Sequence, residues 1–135
     1  MKAGKLTYDN GQSTTAINGF DPVAYFTEGK PIRGSGHHVA VFDGATYLFA
    51  SEANKKLFEA NPAKYAPAFG GYCAFGASVE KKFVADPQVW KIVDGKLYLA
   101  LDAEIQSQWN KDVAGNIRNA DTNWPRIKNV SAADL

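Results

Sequence analysis

The sequence predicts an α+β fold in which a small antiparallel sheet from two β-hairpins packs with helices as two similar hairpin-helix units. Three observations carry that expectation. Two β-rich runs are each broken by an Asp-Gly pair, Asp43-Gly44 and Asp94-Gly95, and such pairs accept the positive φ angles of a tight I′ turn. Each hairpin is followed by a residue suited to cap a helix, Ser51 or Asp102. The units also overlay when one is slid along the chain by 51 residues, which sets Tyr47 on Tyr98 and Phe58 on Trp109.

Taken in order, Asp21 to Phe26 reads as a short helix, with Asp21 as cap, Pro22 at the first helical position, and Gly29 and Pro31 as stops. The first hairpin joins Val39–Phe42 to Ala45–Phe49. Ser51 caps a helix that runs to about Ala60, and Pro62 to Tyr65 adds one more turn. The second hairpin joins Val89–Val93 to Lys96–Leu101. A helix then extends from Asp102 to Lys128, with Ile105, Trp109, Val113 and Ile117 at helical spacing and Gly115 as a break. The overlay of the units is one of pattern, and it fits either duplication or two independent solutions to the same hairpin problem.

At 135 residues the chain suits one domain over 17–128, between a polar leader at 1–16 and a frayed tail at 129–135. Fifteen basic and fourteen acidic residues leave a charge of +1, which argues against nucleic acid as a partner. No apolar run approaches the roughly 18 residues of a membrane-spanning helix. The single cysteine forbids an internal disulfide and excludes four-thiolate zinc patterns. No P-loop, dinucleotide, His-Glu-x-x-His or Gly-x-Ser-x-Gly motif occurs.

The chemistry-bearing candidates are few. Cys73 follows Gly70, Gly71 and Tyr72 in a glycine- and aromatic-rich stretch that lets the backbone turn sharply. If Cys73 opens a helical turn, free N–H groups favour its thiolate; a lone cysteine among aromatics is equally a small hydrophobe. His37 and His38 enter the first hairpin on opposite strand faces, so one at most faces a given site, His38 being the better placed. Cys73 with one of these histidines suits copper or zinc through sulfur and nitrogen. Further ligands would have to come from residues such as Asp21, Glu28 or Asp86. Tyr25, Phe26, Tyr47, Phe49, Tyr98 and Trp109 are read as core.

Five ordered segments bear a family resemblance: Gly19–Phe26, Gly44–Ser51, Phe58–Pro67, Gly70–Ala74 and Val93–Leu99. Together they resemble the YHS-domain proteins, and more narrowly the small exported bacterial YHS-domain (seleno)protein branch, over about Gly19 to Pro125. The resemblance implies a periplasmic location and a functional sulfur at Cys73, because some members carry selenocysteine at the matching position. Wider relatives are associated with metal handling through several cysteines, and this chain departs from that pattern, with Ala50 and Ser51 after Phe49. The resulting expectation is redox or thiol chemistry at Cys73, shaped by Gly70, Gly71 and Tyr72, with a small thiol or redox protein as external partner. The alternatives are a copper or zinc module using His37 or His38 with Cys73, and an interaction or sensor domain in which the cysteine is buried and inert.

Overall fold

The computed structural model describes residues 6–7 and 14–135. Most of the leader expected over 1–16 therefore lies outside the described residues. The first unit begins with a tight turn at Ala16–Gly19, where Ile17, Asn18 and Gly19 all take positive φ (45°, 51° and 81°). After it come α1 (Ala24–Thr27), β3 (Ser35–Phe42), β4 (Ala45–Phe49), α2 (Glu52–Ala60) and α3 (Pro62–Tyr65). The second unit opens in the same way, at Ala68–Gly71, with positive φ at Phe69, Gly70 and Gly71 (58°, 63° and 86°). It continues as α4 (Ala74–Ser78), β5 (Asp86–Val93), β6 (Lys96–Ala100), α5 (Ala103–Asn110) and α6 (Val113–Ile127).

Both hairpins form on the expected turns, with Asp43 and Gly44 at φ 53° and 82° and Asp94 and Gly95 at 51° and 78°. Both helix caps also form. The Ser51 hydroxyl accepts the Asn54 N–H at 3.1 Å, and the Asp102 carboxylate accepts the Ile105 N–H at 2.8 Å. Even the irregularities coincide, because the register of each hairpin shifts between equivalent residues, Ser35/Val39 and Asp86/Trp90. The repeat seen in the hairpin and its following helix thus extends over the whole unit.

Two short strands, β1 (Leu6–Thr7) and β2 (Thr14–Thr15), flank the first hairpin in the order β1-β3-β4-β2, with β2 parallel to β4. The second hairpin forms its own two-stranded sheet. The hairpins nevertheless share one core, in which Tyr25, Tyr47, Phe49 and Phe58 of the first unit meet Ala85, Leu97 and Leu99 of the second. Tyr25 ties them further. Its hydroxyl donates to the Pro87 carbonyl at 2.7 Å, and its ring meets Trp90 edge-on at 5.1 Å between centroids. A smaller cluster, with Ala68, Phe69, Ala74, Ala77, Trp109 and Ala120, packs α4 against α6 and the second left-handed turn. All six aromatics read as core from the sequence lie in or against these clusters.

Two helix boundaries differ from expectation. The helix predicted from Asp21 starts later, because the Asp21 carboxylate turns inward and accepts the Val23 N–H at 2.8 Å as a local turn. The long C-terminal helix breaks at Lys111-Asp112 rather than at Gly115, since the Asp112 carboxylate accepts the Gly115 N–H at 3.0 Å and so caps a new helix. Gly115 leaves room for that cap, because a Cβ there would displace the Asp112 carboxylate.

Asp21 fastens the first unit. Fully buried, its carboxylate also accepts the Ala50 N–H at 2.9 Å and the Asn54 side-chain amide at 2.8 Å. It thereby joins the loop before α1 to the junction of β4 and α2. Asp21→Ala strands these donors, and denaturant unfolding should show a loss of roughly 3 kcal/mol or more. Burial raises the Tyr25 and Tyr47 phenols well above their usual range, with Asp86 and Asp43 respectively adding to the effect. The unfolded chain ionises these groups near pH 10 while the fold keeps them protonated, so stability falls above about pH 10, by up to ~1.4 kcal/mol per pH unit per tyrosine. In unfolding curves across alkaline pH, Tyr47→Phe should make that fall shallower.

Candidate functional site

Cys73 follows directly from the second left-handed turn. Its N–H donates to the Phe83 carbonyl at 2.9 Å, and its backbone bridges to Leu99 of β6, so the residue is held between the second hairpin and α4. It occupies the cap position of α4, where its sulfur accepts the Gly76 N–H at 3.4 Å. The side chain is 0% exposed, and Cys73 is a free thiol.

Gly70, Gly71 and Tyr72, which precede it, face a different space. They help to line a cleft of about 650 Å³ that does not include Cys73. Both left-handed turns contribute to this cleft, Ala16, Ile17 and Asn18 from the first unit and Ala68 to Gly71 from the second. Gly71 is needed at its position for two reasons, a φ of 86° and a Cβ that would come within 3.0 Å of the Ile17 side chain. Phe42, Tyr47, Phe69, Tyr72 and Trp124 supply aromatic wall, and Ala66 and Pro67 keep space open between them. Such a mixture of apolar wall and few polar groups, at the seam between two packed units, is what small-molecule sites are made of.

Charged side chains meet the cleft at Asp43, Lys82, Lys96, Asp121 and Lys128. Lys128 pairs with Asp43 at 2.8 Å, tying the end of α6 to the first hairpin turn. Lys82 donates to the carbonyls of Lys128 and Val130 at 2.7 and 2.6 Å and lies over the rings of Tyr72 and Trp124. Lys96 donates to the Ala63 carbonyl at 3.3 Å, and burial lowers its pKa from the ordinary lysine value, with Asp121 acting in the opposite direction.

The histidines stand elsewhere. His37 is exposed, and the Nδ1 of His38 pairs with Glu52 at 3.1 Å on the solvent side, in the irregular stretch where β3 and β4 shift register. Among the described residues no three His, Cys, Asp or Glu side chains converge as a metal site. Asp21 is engaged by backbone and amide donors, and Asp86 accepts the Gln88 N–H. Cys73 is sealed, His37 is exposed and His38 pairs with Glu52, so among the described residues these three side chains do not form one cluster.

Residues 23–69 match the family model of the YHS domain. No curated protein and no solved structure gives a significant match. The YHS match runs from the residue before α1 to the second left-handed turn, so it takes in the first unit's hairpin and helices. The second unit repeats that order of elements beyond the YHS match. Sequence reasoning did not anticipate the cleft, having assigned Tyr47 to the core and left Ile17, Lys96 and Trp124 without a role in a site. One signal was present: Ile17-Asn18-Gly19 and Phe69-Gly70-Gly71 both set a bulky apolar residue before turn-forming ones.

The burial of Cys73 sets an expectation for its reactivity. A thiol reagent such as dithiobis(nitrobenzoate) should label the native protein at least about a hundredfold more slowly than the urea-unfolded chain, since attack requires opening of the α4 region.

Proposed function

We propose that this domain is a binding module, with the cleft between its two units as the site for a small organic ligand of apolar body. The observation that carries this reading is the cleft itself, of a size that encloses such a molecule, walled by aromatics and small residues and flanked by two strained turns. Cys73 serves the fold in this reading. Its sulfur caps α4, and its small volume lets the second hairpin close over it.

A second reading makes Cys73 a redox centre of an exported protein. It is favoured by the resemblance to the branch with selenocysteine at the matching position, and by the place of the sulfur at the cap of α4, where it accepts the Gly76 N–H. It requires α4 or the second left-handed turn to open, and peroxide-dependent formation of a sulfenic acid in the folded protein would support it over the first.

The neutral fluorophore N-phenylnaphthylamine tests the binding reading. It should bind the native protein at one site and quench Trp124, which lines the cleft. Ala63 is exposed at the cleft mouth, so Ala63→Trp should weaken binding by roughly tenfold or more while circular dichroism stays unchanged. Binding that ignores this substitution would count against the cleft as the site.

A further inference from the structure

The cleft carries one polar feature that the apolar walls do not explain. Tyr47 is 2% exposed, yet its residue lines the cleft. Trp109 Nε1 is the only sealed side-chain polar atom without a partner among the described residues. The Tyr47 hydroxyl, which has no hydrogen-bond partner among them either, therefore keeps an opening, and the cleft is the space its residue borders. Burial and Asp43 keep this phenol protonated, so it is a donor at every physiological pH.

The cations divide in the same direction. Lys128 is neutralised by Asp43, and Lys82 is spent on two carbonyls at the end of α6. Lys96 forms no ion pair among the described residues, and its one hydrogen bond, to the Ala63 carbonyl, is long. Asp121 also lies on the cleft but acts on Lys96 only from beyond ion-pair distance. A buried donor and an underused, partly desolvated cation on the walls of one apolar cleft call for a ligand with an anionic acceptor.

Building on the binding reading, we propose that the ligand is an apolar carboxylate, an aromatic or branched body bearing one carboxylate group, with Lys96 and the Tyr47 hydroxyl as the groups that recognise the carboxylate. The aromatic walls from Phe69, Tyr72 and Trp124 hold the body. A neutral molecule of the same shape fills the walls but leaves Lys96 without a counter-charge, so the preference resides in the head group.

The experiment compares naphthylacetate with naphthylacetamide, matched in shape and differing in charge, by calorimetry and Trp124 quenching. Wild type should bind the carboxylate about tenfold or more tightly than the amide. Lys96→Met should bring that ratio close to one, Lys96→Arg should restore most of it, and Tyr47→Phe should reduce it about threefold or more. Lys111→Met, an exposed lysine away from the cleft, serves as the control and should leave the ratio as in wild type. If N-phenylnaphthylamine binds in the cleft but wild type shows no carboxylate preference, or if the preference survives Lys96→Met, the carboxylate assignment fails while the cleft reading stands. If none of these probes binds the native protein, both fail.

Discussion

Both units must reverse the chain sharply before their first helix, and both do so with consecutive residues in the left-handed backbone region. For glycine this costs little; for Ile17 and Phe69, at φ 45° and 58°, it costs on the order of 1–2 kcal/mol each. Burial offsets that strain, since Ile17 lies in the core that the two units share and Phe69 in the cluster that packs α4 against α6. The turns in turn set the backbone that follows them. Phe20 bridges to Arg33, and Tyr72 to Val84, at matching places in the two units.

The next residue in each unit is where the repeat diverges in chemistry. The Asp21 N–H donates to the Ile32 carbonyl at 2.8 Å, and the Cys73 N–H donates to the Phe83 carbonyl at 2.9 Å, so the two residues are structural equivalents. In the first unit the position holds a carboxylate that gathers donors from the loop, the end of β4 and α2. In the second it holds a thiol that takes one N–H from its own helix and a backbone bridge from β6. One position thus anchors a hairpin through charge-assisted hydrogen bonds in one unit and through close apolar packing in the other. The comparison gives the cysteine a structural task apart from any reactivity.

Because the turns face one another across the seam, the space between them is a property of the pair. Each unit supplies one wall, and the walls are latched across the seam by the ion pair of Lys128 with Asp43. A cleft formed in this way combines rigid apolar walls with charged side chains at its edge, the arrangement that orients a ligand by its polar end. The sulfur of Cys73 lies behind the wall rather than in it.

The sequence by itself determined the local structure. Asp-Gly pairs, Ser51 and Asp102 act through their nearest neighbours, so the hairpins and the helices after them were legible from residue type and spacing, as were the repeat and the aromatic core. Where a polar side chain had two places to go, only the tertiary structure decided. Asp21 left its expected capping role because the β4–α2 junction offered buried donors that a local cap does not, and Asp112 rather than Gly115 broke the last helix because its carboxylate reached a free N–H. The cleft was decided at that level too. Ile17, Tyr47, Lys96 and Trp124 are far apart along the chain, and the packing of one unit against the other, driven by non-directional apolar burial, is what brings them to a common space.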